Sequence, residues 1–94
     1  MQPVIALPSH ELTYLDQVGE QHLRMRFRSG DGATVNAIAF RSIGQKLGNA
    51  LRENYGQLLH VAGNVSVDRW QGTERVQLRV QDVAVPRPEP RSIR

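Results

Sequence analysis

Strict alternation of apolar and basic residues over positions 23–28 predicts a half-buried β-strand. One side carries Leu23, Met25 and Phe27, and the other carries Arg24, Arg26 and Arg28. The next four residues, Ser-Gly-Asp-Gly, provide the turn chemistry of a tight hairpin, because glycine adopts positive φ without strain. Residues 33–40 are therefore predicted to return as a partner strand. That strand is apolar on both faces near Ile38 and Phe40, as is typical of a curved or closed sheet.

The segments before this hairpin predict one more strand. Residues 11–18 read as a strand with Leu12 and Tyr14 facing the core. Residues 1–8 are apolar and contain Pro3 and Pro8, so we interpret them as an edge segment or the end of a linker.

After residue 40 the spacing of the apolar residues changes to that of a helix and then returns to the two-residue alternation of a strand. Residues 42–45, Ser-Ile-Gly-Gln, fit a capping box, and an apolar stripe follows at helical spacing up to residue 51. Residues 59–67 and 76–80 alternate again and predict a fourth and a fifth strand, with a bend at Gly63 and a loop over residues 69–73. A change of parity near residue 82 indicates a bulge or the end of the last strand.

The resulting order is three strands, one helix and two strands. We therefore predict a mainly β fold, a small five-stranded OB-like antiparallel barrel with one short helix between strands 3 and 4. We expect residues 1–86 to form a single OB-fold nucleic-acid-binding domain, because 94 residues with 39% apolar content suit one modest core. Residues 87–94 alternate proline with charged residues, and we expect a disordered basic tail.

Composition restricts the function classes. Cysteine is absent, which excludes disulfides and thiolate metal sites and favours the cytoplasm. The apolar run at residues 4–7 is too short for a signal peptide or a membrane span. The net charge of +3 is modest, and three arginines against one glutamate in the tail leave only +1 on the body. Of the twelve basic residues only Lys46 is a lysine, and arginine suits phosphate binding.

Catalytic chemistry is not indicated within this chain. The three histidines lack the spacing of a metal site, and the nine acidic residues are scattered without a paired-carboxylate or nucleophile motif. We expect no catalytic residue, no metal ligand and no cofactor here.

The sequence indicates nucleic-acid binding more clearly than catalysis. The arginines on one strand face lie about 6.6–7 Å apart, a spacing that can follow a nucleic-acid backbone; the alternative is a solvated face whose arginines pair with acidic residues. Trp70 either stacks on a base or packs over the barrel rim, and Phe40 and Tyr55 are the remaining stacking candidates. The candidate nucleic-acid-binding residues are Arg24, Arg26, Arg28, Arg69, Trp70, Arg75 and Arg79.

Three segments resemble a known family. They are VGEQHLRMRFRSGDG at residues 18–32, VNAIAF at residues 35–40 and VSVDRWQGTERVQLRVQDV at residues 65–83. In this order and spacing they resemble the C-terminal OB domain of RecJ, a bacterial exonuclease that degrades single-stranded DNA from 5′ to 3′. One departure is Asp68-Arg69, where the family pattern has Asn-Glu.

The resemblance implies a non-catalytic domain of a larger hydrolase of DNA repair and recombination. Its partners would be single-stranded DNA and the catalytic domains of the parent chain, with no membrane partner, and we expect a monomer. The Asp-His-His signature of the family is absent here, so the divalent metal, Mn²⁺ or Mg²⁺, would belong to those catalytic domains. Two alternatives stay open: a protein-docking or structural OB module bracing the parent, and an OB domain of another nucleic-acid enzyme.

Overall fold

The computed structural model describes residues 3–86, except for the side chains of Asp68 and Trp70. The predicted tail at residues 87–94 lies outside this part of the chain. The elements in order are β1 (Val4–Val18), β2 (His22–Arg28), β3 (Thr34–Ala39), α1 (Lys46–Glu53), β4 (Leu58–Trp70) and β5 (Thr73–Ala84). The predicted order of strands and helix is therefore confirmed.

The five strands form a closed barrel in the order β1-β2-β3-β5-β4, so the predicted OB-like barrel is confirmed as well. Most neighbours are antiparallel, but β3 and β5 close the barrel through a short parallel pairing. Only two residue pairs make it, Ala37 with Leu78 and Ile38 with Arg79. Residues of β3 and β5 outside these two pairs contribute to the surface described below.

The core lies inside the barrel and is built from the alternation that the sequence shows. Leu23, Met25 and Phe27 of β2 are at most 1% exposed, while their arginine neighbours face outward. The other buried apolar side chains are Leu12, Ala37, Ala39, Leu51, Leu59, Val61, Leu78 and Val80. Burial of these side chains is the main favourable contribution to folding.

Strand β1 is longer than predicted because it bends and pairs with two neighbouring strands. Its first half pairs with β4 from Val4, and its second half pairs with β2 up to Val18. The register shifts between Leu7 and His10, where Ser9 has a positive φ of 50°. Residues 4–7 are therefore part of the barrel and not a linker.

A second irregularity in β1 corrects the prediction for Tyr14. The register with β2 shifts between Leu12 and Tyr14, so the two side chains do not share a face. Leu12 is fully buried, as predicted, whereas Tyr14 is 38% exposed. The prediction that Tyr14 faces the core is therefore wrong, because a β-bulge reverses the alternation after Leu12.

The predicted capping box also does not form. The Ser42 hydroxyl is buried and donates to the Ala39 carbonyl oxygen at 3.0 Å, and α1 begins only at Lys46, with Gln45 at the N-cap and no side-chain cap. The helix instead packs very closely on the preceding turn. A Cβ added to Gly48 would lie 1.9 Å from the Ser42 carbonyl oxygen, so only glycine fits at this contact.

Strands β4 and β5 form a long hairpin, closed by a two-residue turn. Gln71 and Gly72 both have positive φ, 51° and 76°, as a type I′ turn requires. Strand pairing extends to Trp70 and Thr73, so the predicted loop at residues 69–73 is shorter than expected. The predicted bend at Gly63 is confirmed as a register shift, at which a Cβ would lie 2.2 Å from the Arg79 carbonyl oxygen.

Candidate nucleic-acid interface

The three arginines of β2 stand side by side on the outer face of the barrel, but two of them are ion-paired. Arg24 lies 3.6 Å from the Asp16 carboxylate, and Arg28 lies 2.7 Å from that of Glu11. Both acidic residues belong to the neighbouring strand β1. The alternative interpretation of a solvated face with paired arginines therefore holds in part, for Arg24 and Arg28.

Arg26 has different neighbours. Its guanidinium carbon lies 5.6 Å from the centroid of the Tyr14 ring, a cation–π arrangement. Its Nε donates to Asn36 Oδ1 at 3.2 Å. The Tyr14 hydroxyl in turn donates to Asp16 Oδ2 at 3.3 Å. These contacts hold a guanidinium over an aromatic ring at the surface.

A groove of about 260 Å³ opens beside this pair, and residues of β3 and β5 outside their two-residue pairing contribute to its lining. Its lining comes from four strands: Tyr14, Arg24, Met25, Arg26, Asn36, Arg75, Val76 and Gln77. Three of the seven candidate residues thus meet at one site, namely Arg24, Arg26 and Arg75. The described lining contains three arginines and no carboxylate, so the groove suits an anionic ligand.

Arg79 lies one step from the groove, across β3. Ile38 pairs with Arg24 on one side and with Arg79 on the other. The Arg79 guanidinium carbon lies 4.9 Å from the centroid of the Phe40 ring, and the His22 ring meets that ring edge-on at 5.2 Å. Arg79 therefore belongs to a second aromatic–arginine cluster.

The remaining candidates lie elsewhere. Arg28 is at the end of β2, and Arg69 is near the hairpin tip, where its Nε lies 3.0 Å from the Glu74 carboxylate. Neither is part of the described groove lining. The backbone of Trp70 ends β4 opposite Thr73, while the Trp70 side chain lies outside the described part of the structure.

The sequence of this chain matches one known family, described as RecJ OB domain, over residues 1–82. The chain belongs to the RecJ OB domain family. The resemblance of the three segments is thereby confirmed. No curated protein sequence matches the chain.

Solved structures show the same fold as this RecJ OB domain. The mitochondrial single-stranded DNA binding protein Rim1 from S. cerevisiae superposes with a TM-score of 0.70 at 14% identity, over 89% of this chain and 94% of Rim1. A small single-stranded DNA-binding protein from Streptomyces coelicolor gives a TM-score of 0.55 at 13% identity, over 90% and 94% of the two chains. At such low identity the likeness shows the fold.

Among the groove residues of this RecJ OB domain that were not sequence candidates, Tyr14 and Asn36 contact Arg26. The alternation of apolar residues predicts a core position for Tyr14, because the sequence does not reveal the bulge after Leu12. Asn36 lies on the polar face of β3, opposite Arg26. Its polar position in the alternation could have identified it as a groove residue once the register of the hairpin was known. Both side chains position the Arg26 guanidinium.

In the β2–β3 turn of this RecJ OB domain, hydrogen bonds from the Ser29 hydroxyl and the Ala33 N–H lower the pKa of the Asp31 carboxyl. Within residues 3–86, no group of three or more His, Asp or Glu side chains is placed to hold a metal ion. In the same range no helix has the length and apolar character needed to span a membrane.

Proposed function

We propose that this RecJ OB domain binds single-stranded DNA across the outer face of its barrel, in the groove beside Tyr14 and Arg26. The observation that carries the proposal is the meeting of Arg24, Arg26 and Arg75 with an exposed aromatic ring at one site. Arginines bind phosphates, and an exposed ring stacks on a base. The likeness to two single-stranded DNA-binding proteins and the RecJ family membership support the same ligand.

The ion pairs at this surface do not block such binding. The side chains of Arg24 and Asp16 are 53% and 48% exposed, and an exposed salt bridge contributes only about 0–1 kcal/mol. A phosphate that approaches Arg24 can therefore replace Asp16 at small cost. Arg26 breaks no ion pair when it binds a phosphate, since its described partners are a ring and an amide oxygen.

The wider role that we propose is to guide DNA to catalytic domains elsewhere in a RecJ-like 5′-to-3′ exonuclease of DNA repair and recombination. On this proposal the chain itself is not catalytic, and the Mn²⁺ or Mg²⁺ ions and the hydrolysis belong to those other domains. It acts in the cytoplasm and is monomeric on its own.

The test is the salt dependence of oligo-dT binding, measured by fluorescence anisotropy on the wild type and on two charge-matched double variants. Arg26→Gln/Arg75→Gln removes two groove charges. Lys46→Gln/Arg52→Gln removes two exposed charges of α1, neither of which lines the groove.

Each phosphate contact on a single strand contributes about 0.7 to the slope of log K against log salt. The groove variant should therefore lose about 1.4 of the slope, and the helix variant should bind like the wild type. Equal slopes for the two variants, or no binding by the wild type even at low salt, would exclude the groove as the DNA site.

A second candidate function, protein docking, is favoured by one observation. Val65, Val67 and Val76 lie on the core-side face of the β4–β5 hairpin, yet they are 38%, 51% and 63% exposed. Val67 and Val76 pair directly, so they form one apolar ribbon, of which Val76 also lines the groove. If the wild type does not bind oligo-dT, this ribbon is the surface on which the domain would brace the parent enzyme.

A further inference from the structure

A second surface cluster lies next to the groove and combines an aromatic ring with cationic groups. It occupies an open depression of about 540 Å³ lined by Gln21, His22, Phe40, Arg41 and Arg79. Phe40 is 46% exposed although it follows directly on a buried strand end. Two arginines and no carboxylate stand in the described lining, so the site favours an anion next to a ring.

The Phe40 ring is held in place by its neighbours. The Arg79 guanidinium lies over it at 4.9 Å, and the edge-on His22 ring fixes its angle at 79° between the planes. His22 is itself fixed, because its Nδ1 accepts the Arg41 backbone N–H at 2.9 Å. The proton of the neutral imidazole is then on Nε2, which can donate to a phosphate or a base oxygen.

The backbone conformation at Arg41 also helps to organise the cluster. Arg41 has a φ of 54°, a left-handed conformation that is rare for a residue with a side chain. The bond from its N–H to His22 stabilises this turn, which places the Arg41 side chain in the depression beside Phe40. The Phe40 ring, the His22 imidazole and the Arg79 guanidinium are thus organised before any ligand arrives, which lowers the entropic cost of binding.

This cluster is continuous with the groove. Arg24 lines the groove and Arg79 lines the cluster, and only Ile38 separates them across β3. Two strand spacings amount to about 10 Å, a distance that a bound oligonucleotide crosses within the roughly 4–16 nucleotides that an OB fold covers.

We propose that Phe40, His22, Arg41 and Arg79 form a second nucleotide subsite for single-stranded DNA, contiguous with the groove. A base stacks on the Phe40–Arg79 pair, and the adjoining phosphate is bound by Arg41 and the His22 Nε2–H. The inference rests on the proposed function, since it extends the DNA path from β2 across β3 to β5.

The experiment compares Phe40→Tyr, which keeps the ring, with Phe40→Leu, which keeps apolar volume but removes the π face. Both are titrated with oligo-dT of about 12 nucleotides by anisotropy, and the thermal melt of each is recorded. Phe40→Leu should bind about 5- to 150-fold more weakly than the wild type, with an unchanged salt slope, because stacking releases no counterions. Phe40→Tyr should bind within about twofold of the wild type.

A second readout uses NMR on the intact 94-residue chain. Oligo-dT should shift the ring resonances of Phe40 and His22, whereas an abasic oligonucleotide of equal length should leave the Phe40 ring signals in place. Wild-type binding with no effect of Phe40→Leu and no shift at Phe40 would overturn the subsite while leaving the groove intact. Absence of any wild-type binding would instead remove the proposed function itself.

Discussion

Replacement of Tyr14 by alanine tests whether the Tyr14 ring lies at the surface, as in the structure, or in the core, as the alternation of β1 predicts. A core aromatic costs about 3–5 kcal/mol on truncation to alanine, a large part of the 5–15 kcal/mol that stabilises a typical domain. A ring that is 38% exposed and covered by Arg26 loses much less.

The loss can be worked from the contacts of the ring. An exposed cation–π contact contributes about 0.5–1 kcal/mol, and the bond from the Tyr14 hydroxyl to Asp16 is long and solvated. We therefore expect Tyr14→Ala to cost about 1 kcal/mol of unfolding free energy, which lowers the melting temperature by about 4–8 °C. Tyr14→Phe keeps the ring, loses only the hydroxyl and should melt close to the wild type.

The effect on DNA binding should be larger than the effect on folding. Stacking of a base on an aromatic side chain contributes about 1–3 kcal/mol, so Tyr14→Ala should weaken oligo-dT binding about 5- to 150-fold at constant salt. Its slope against salt should stay near that of the wild type, because no arginine is removed. Tyr14→Phe should retain nearly full affinity.

The assay is anisotropy at several salt concentrations on protein whose folding is checked by circular dichroism. If Tyr14→Ala is folded and binds within twofold of the wild type, Tyr14 does not stack on DNA. If Tyr14→Ala is unfolded at 25 °C, the ring belongs to the core and the description of β1 is wrong.

Two further predictions concern the framework. Gly48→Ala should be destabilised by about 1–3 kcal/mol, because the added Cβ would overlap the Ser42 carbonyl, although alanine is the better helix former by about 1 kcal/mol. The exposed control Asn49→Ala should melt at or above the wild type. An equal gain in the melting temperature of Gly48→Ala would contradict the close contact. The lowered pKa of Asp31 means that its contribution to stability is full above the ordinary value of 3.8 and is lost as pH falls through the lower folded value. Melting of wild type and Asp31→Asn should thus converge in strong acid and separate near neutral pH, and a constant difference would contradict this.

Much of the fold could be predicted because its signals are local. The alternation over β2 places three apolar side chains inward and three arginines outward by geometry alone, and Ser29 to Gly32 contain the turn that returns the chain. The order of strands and helix then restricts the topology to few barrels.

The errors arise where a single residue changes the parity or where packing replaces a local motif. Residues 42–45 have the composition of a capping box, but Ser42 is buried against the Ala39 carbonyl, so burial outweighs the local preference. Tyr14 follows a bulge that only the pairing with β2 reveals. The groove could not be predicted for a related reason, since Arg75 and Arg26 line it together only when β5 is placed beside β3 by a pairing of just two residues.

The arrangement of acids on β1 determines how the arginine face should respond to salt. Asp16 and Glu11 stand beside Arg24 and Arg28, so a phosphate that takes either arginine leaves a carboxylate that must recruit a cation from solution. Such an exchange releases fewer counterions than a free arginine does. Arg26 faces a ring and an amide oxygen instead, and its contact with a phosphate should contribute its full share. The salt slope of this domain should therefore be smaller than its number of exposed arginines implies.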